Sequence, residues 1–219
     1  MNNNNWMLRI LALFVLLGNL PLLRWQVVNA EILPTEPLSW TNIFQAAAKK
    51  PPVPPRKGGR RPSNYVCIIS PNAPDGTRII WSDRPLFLWQ GKVSKIAVRR
   101  QGYTAYLWSK TVTGIESATY SGKPLQPGQT YEWVVNNTIF IPFQVMKAQP
   151  REQTAKELTS LENQLQAKGI DIEGIALAKA NYFVQAQLWS DVWQQMYSVP
   201  KPSANLVKLR QELVVKLCS

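Results

Sequence analysis

Leu125-Gln126-Pro127-Gly128-Gln129-Thr130-Tyr131-Glu132-Trp133 carries the pattern of a tyrosine corner. A Pro-Gly turn leads into a strand whose early tyrosine can bond back across the corner. Tyr131, Trp133 and Val135 then alternate toward one face. A Pro-Gly turn alone fits any hairpin. The aromatic residue just after it, with alternate apolar positions following, is what points to two packed sheets.

Working outward, the stretch from Asn64 to about Lys147 reads as β throughout. Short runs of β-branched and aromatic residues alternate with turn signals. The runs are Tyr65–Ile69, Arg78–Trp81, Leu86–Trp89, Lys95–Arg99, Ala105–Val112, Ala118–Tyr120, Tyr131–Val135 and Ile139–Met146. Pro74-Asp75-Gly76, Gln90-Gly91, Gln101-Gly102, Ser121-Gly122 and Pro127-Gly128 separate them. In the last run Ile139, Ile141, Phe143 and Val145 share one face, and Pro142 needs an edge or a bulge. The expected fold class is α+β: an immunoglobulin-like or fibronectin-like antiparallel β-sandwich, followed by a helical segment packed on it.

After Pro150 the apolar period becomes helical. Leu158, Leu161 and Leu165 mark a first helix that Gly169 stops. Asp171 is placed to cap a second, through Ile175, Ala178, Tyr182 and Ala186. A third runs near Ser190 to Tyr197, and Ser203 is placed to cap a last one through Leu206, Leu209, Leu213 and Leu217. Ala180, Tyr182, Trp189 and Met196, with the proline after them, resemble one tetratricopeptide-type helix pair. One such pair cannot bury itself, so it must pack on its neighbours or on the sheet.

The chain before the β region divides in two. Residues 1–30 read as a secretory signal: Arg9, an apolar run from Ile10 to Leu23, then Val28-Asn29-Ala30 as a cleavage site. The rival reading is an uncleaved anchor, but the 14-residue run is short of the roughly 20 that span a bilayer. Cleavage leaves no transmembrane helix in the mature chain. It removes Arg9 and Arg24 and takes the formal charge from +12 to +10. Residues 31–63 are a Pro-rich basic linker with Arg56, Lys57, Arg60 and Arg61 at its end. It reads either as an electrostatic tether to an anionic surface or as a solvated spacer. The β-sandwich then occupies 64–148 and the helical segment 149–219. In an oxidising compartment Cys67 and Cys218 can form a disulfide; the alternative is two unpaired thiols.

The residues exclude most chemistry. With no histidine there is no imidazole-based triad and no metal site that needs a histidine ligand, and neither a metal nor a cofactor is expected. Ser198-Val199-Pro200-Lys201 has the Ser-x-x-Lys spacing, but its proline breaks the helix that would align the two side chains. Asp75 and Asp83 are the only carboxylate pair to weigh in the β region, and turn chemistry explains both. The chain is therefore read as non-enzymatic. Among the tryptophans, Trp89, Trp133 and Trp193 are expected in the core. Trp81 and Trp108 are expected to be exposed and, with Arg99 and Arg100, to form a binding surface.

The order of parts resembles a mostly cyanobacterial family of uncharacterised exported proteins, a domain-of-unknown-function family. The likeness rests on Arg56-Lys57-Gly58-Gly59-Arg60-Arg61, Pro85-Leu86-Phe87-Leu88-Trp89, Leu125 through Trp133 and Leu188-Trp189-Ser190-Asp191-Val192-Trp193. It implies fold and export and no activity; the closing Leu217-Cys218-Ser219 departs from it. The expectation is an exported envelope protein, periplasmic or extracellular, that acts as a protein-binding adaptor through its helical tail. The alternative is a polysaccharide or cell-wall binding module using Trp81, Trp108, Arg99 and Arg100. The partner is then an unknown envelope protein or an anionic surface polymer, and export argues against nucleic acid.

Overall fold

The structure is a computed structural model that describes residues 39, 66–72 and 78–218. The signal, nearly all of the linker with Arg56, Lys57, Arg60 and Arg61, and Asp75 lie outside the described residues. The described residues all belong to one unit, so the β and helical parts are not separate domains.

Among the described residues there are eight strands: β1 (Cys67–Ser70), β2 (Ile79–Ile80), β3 (Leu86–Gln90), β4 (Lys95–Arg100), β5 (Tyr106–Thr111), β6 (Ser117–Thr119), β7 (Thr130–Val135) and β8 (Ile139–Val145). Four helices follow: α1 (Ala148–Ala167), α2 (Ile172–Gln185), α3 (Trp189–Ser198) and α4 (Ala204–Cys218). The strands make two sheets, ordered β1-β3-β6 and β2-β8-β7-β4-β5. All pairings are antiparallel except β2 with β8.

The two sheets face each other across a cluster built from alternate residues. Ile96 and Val98 of β4, Tyr131, Trp133 and Val135 of β7, and Ile141, Phe143 and Val145 of β8 meet Phe87 and Trp89 of β3. The rings of Phe87 and Trp133 lie 4.9 Å apart. The expected corner is formed, with Gln126 N–H donating to the Tyr131 hydroxyl at 2.8 Å. Pro142 lies where two-residue β2 does not reach, since β2 pairs only with Gln144 and Val145. Its missing N–H is tolerated there.

Strand β3 shows where the helices go. Leu86, Phe87, Leu88 and Trp89 are all buried. Phe87 and Trp89 point between the sheets, while Leu86 and Leu88 join a second cluster with Ala180, Phe183, Val192, Met196 and Leu206 of the helices. A strand covered on both faces reads as a continuous apolar run, and each buried large side chain contributes roughly 1.5–3 kcal/mol. The architecture is α+β in three layers: five-stranded sheet, three-stranded sheet, helices.

Local chemistry sets the helix ends. Gly169 takes φ +72° after α1, and Ile170 N–H donates to Leu165 O, a Schellman ending. Asp171 caps α2 by accepting from Gly174 N–H at 2.7 Å, and Ser203 Oγ accepts from Leu206 N–H at 3.2 Å before α4. Cys67 and Cys218 are disulfide-bonded, joining β1 to the last turn of α4.

Candidate functional site

The outer face of the five-stranded sheet is the most chemically distinctive surface. Strand alternation leaves there the residues that do not enter the inter-sheet cluster. Pairing aligns them in two rows, Tyr106–Arg99–Glu132–Pro142 and Ser109–Ala97–Val134–Phe140. Arg99 Nε bonds Glu132 Oε2 at 2.7 Å, and its guanidinium lies over the Phe140 ring at 4.7 Å. Lys95 Nζ stands 5.5 Å from the Tyr106 ring centre, and the Tyr106 hydroxyl donates to Asn137 Oδ1 at 3.2 Å. Ala97 and Val134 between them are buried, while Phe140 is 46% and Tyr106 41% exposed. Two aromatic rings, each paired with a cation, thus stand on a small apolar floor. Such rings offer flat apolar area; with Arg99 already paired to Glu132, Lys95 is the cation that favours a partner bringing negative charge.

One edge strand of the same sheet is β5, the other being two-residue β2. Strand β5 carries Lys110, and its pairing with β4 is shifted by a bulge opposite Val98 and Arg99. Both devices discourage addition of another strand at this edge.

A second polar cluster sits where α1 and α3 meet the segment between β2 and β3. Asp191, in the first turn of α3, is 1% exposed. Its two oxygens accept the backbone N–H groups of Trp81 at 2.8 Å and Ser82 at 2.9 Å. Burial pushes its carboxyl up to about 7, while those two bonds and the charge of Arg151 pull the other way. Arg151 donates through Nε to Trp81 O at 3.0 Å and pairs with Asp83 at 2.9 Å. Gln194 donates to Ser82 Oγ at 3.1 Å. A carboxylate closed off in this way meets no substrate; it joins α3 and α1 to the segment between β2 and β3.

The residues expected from sequence are dispersed. Trp81 and Trp108 are half-buried rather than exposed. Trp81 packs on Phe183 at 5.7 Å in the helix-side cluster and donates its indole N–H to Arg151 O. Trp108 stacks on Phe87 at 6.0 Å beside the inter-sheet cluster and donates to Ser121 Oγ. Arg99 and Arg100, adjacent on β4, point to opposite faces, and Arg100 is held by Gln129 and Tyr103 at the strand end. Trp89, Trp133 and Trp193 are core residues. Asp83 pairs with Arg151. Ser198 Oγ donates to Gln195 O at the last residue of α3, and among the described residues no hydrogen bond joins it to Lys201.

Sequence reading missed Tyr106, Phe140 and Lys95, whose only signal was strand parity across three separate runs. It also passed over Asp191, an acid set among Leu188, Trp189, Val192 and Trp193 on a helix due to be buried. Among the described residues, no group of three or more histidine, cysteine or acidic side chains is placed to hold a metal, and no helix is long and apolar enough to cross a membrane. No catalogued protein family, no curated protein and no solved structure matches the chain.

Proposed function

We propose that this chain is a non-catalytic binding module of the cell envelope, and that it takes an acidic partner protein on the outer face of its five-stranded sheet. The observation that carries this reading is the pairing of half-exposed Tyr106 and Phe140 with Lys95 and Arg99 over buried Ala97 and Val134. The docking surface moves from the helical tail to the sheet. The main apolar faces of the helices are packed on one another and on β1 and β3, leaving only single apolar side chains such as Ile172, Val207 and Val215 exposed among the described residues. The polysaccharide reading asked for Trp81 and Trp108 as one exposed platform and draws no support from their positions.

Export is supported by the Cys67–Cys218 disulfide, since such bonds persist in oxidising compartments. An immunoglobulin-like sandwich is supported by the strand order. Here β1-β3-β6 corresponds to A-B-E, and β8-β7-β4-β5 to G-F-C-C′, with a tyrosine corner on the F-like strand. Phe87 and Trp133 meet where antibody domains carry a disulfide between the corresponding strands. The tetratricopeptide-like reading of α2 and α3 draws on buried Ala180, Phe183 and Met196 in their shared cluster. Membership of the exported cyanobacterial family belongs to the same proposal. So does the role of Arg56, Lys57, Arg60 and Arg61 as a tether that holds the module near an anionic surface.

A photo-crosslinking residue at position 106, with a control at exposed Val215 on α4, tests the docking face in native envelopes. The expected result is one acidic protein crosslinked from position 106 only, and lost when Phe140 is replaced by Ala and Arg99 by Gln. The same protein captured equally from both positions would place the interface elsewhere.

A further inference from the structure

A cleft of about 470 Å³ opens where the β2–β8 side of the five-stranded sheet meets the corner between α2 and α3. Part of its wall is apolar: Ile79, Met146, Leu188 and Trp189. Among the described residues the charged part is cationic only, Arg78 and Lys147, and no acidic residue lines it.

Arg78 is the unusual member. Asn72 Oδ1 accepts from both its Nε and its Nη2 at 3.1 Å, which orients the guanidinium. That contact takes one edge of the fork and leaves the end-on edge of Nη1 and Nη2. Among the described residues no carboxylate pairs with Arg78. The side chain is nevertheless half-buried, and burial lowers its pKa from the usual guanidinium range with no acid to offset it. A partly desolvated cation with no counter-charge among the described residues favours an anion. The acid closest in sequence on the α3 wall, Asp191, is occupied by the amides of Trp81 and Ser82. The first turn of α3, which has no side-chain cap but carries Asp191, completes the wall.

We propose that this cleft binds an amphiphilic anion, a carboxylate or phosphate head on an apolar body. The head sits on the free edge of Arg78 with Lys147 beside it, and the body lies against Ile79, Met146, Leu188 and Trp189. The volume suits a small molecule or a short acyl chain. The site is separate from the outer sheet face and does not depend on the partner proposed there.

The test is calorimetric titration of the full chain with decanoate, decyl phosphate and uncharged decanol. The two anions are expected to bind one per chain, with decanol weaker by about tenfold or more, the worth of a charge-assisted bidentate contact. Arg78→Gln is expected to weaken the anions by a similar factor, and Lys147→Gln, at an exposed position, to weaken them with the fold untouched. Decanol binding as tightly as decanoate, no saturable binding of either anion, or unchanged affinity in both variants would overturn the proposal. A further arm separates sources of the head group, using phosphatidylglycerol vesicles at about 0.5 M salt to screen the basic linker. Vesicle binding lost in Arg78→Gln assigns a lipid. Vesicles ignored while the soluble anions bind assigns a free amphiphile. Either result upholds the site.

Discussion

The carboxylate of Asp191 accepts the backbone N–H of Trp81 at 2.8 Å across 110 residues of chain. The same side chain takes the next amide, Ser82 N–H, on its other oxygen. One acid therefore fixes the seam between α3 and the β2–β3 segment, at a place where neither element can satisfy those amides itself.

Removing it should loosen that seam. Asp191→Ala leaves two amides unpaired next to the core and is expected to cost about 3 kcal/mol in equilibrium denaturation. Asp191→Asn keeps the shape and one acceptor and should cost less. A loss under about 0.5 kcal/mol for Ala would show that other groups or water replace the carboxylate.

The same group sets a pH dependence. Its folded pKa is raised from the ordinary 3.8 to about 7 by burial. Below the lower value both states hold the proton. As pH rises through the interval the unfolded chain loses its proton first, so the folded state loses stability between about pH 4 and 7. At 1.36 kcal/mol per pKa unit the ceiling is about 4 kcal/mol. Chemical denaturation across that window should show the decline in the wild type and a flatter profile in Asp191→Asn. Parallel profiles would assign the slope to other groups.

The disulfide between Cys67 and Cys218 closes a sequence separation of 151 residues. Replacing both cysteines with Ser is expected to lower stability by about 2–5 kcal/mol. Alkylation of the denatured, unreduced chain should label neither thiol. Labelling of both would remove the bond and the support it lends to export.

Gln187 ends α2 in the left-handed region, at φ +59°, with Leu188 N–H donating to Phe183 O behind it. A side chain there is strained where glycine is not, so Gln187→Gly is expected to raise stability by about 1 kcal/mol. An unchanged or lower denaturation midpoint would mean that the glutamine makes a compensating contact.

The corner at Tyr131 offers a local control. Tyr131→Phe deletes the acceptor for Gln126 N–H and little else, and should cost about 1 kcal/mol with the fold intact. A larger loss would make the corner a structural keystone of the sheet pair.

Much of this fold was legible in the chain because its signals are local. The eight β runs, the Pro127-Gly128 turn and Tyr131, the stop at Gly169 and the caps Asp171 and Ser203 each depend on a few neighbouring residues and were found where expected. The candidate sites were less legible. Trp81 and Trp108 look alike in sequence, each a tryptophan in a short β run, yet they pack on different sides of the three-stranded sheet. Arg99 and Arg100 look like a cluster, yet adjacent strand residues face opposite ways.

The chain by itself determined which segments are strand and helix, where they stop, and that imidazole chemistry is absent, because backbone conformation and side-chain inventory are properties of short stretches. The tertiary structure decided what those stretches share. It placed β3 between two layers, so that Leu86 and Leu88 meet helices while Phe87 and Trp89 meet the opposite sheet. It brought Tyr106, Arg99 and Phe140 from three strands onto one face, and it paired Asp191 with amides more than a hundred residues away. Burial and register are relations between distant segments, set by how whole faces pack, and no window of sequence contains both partners.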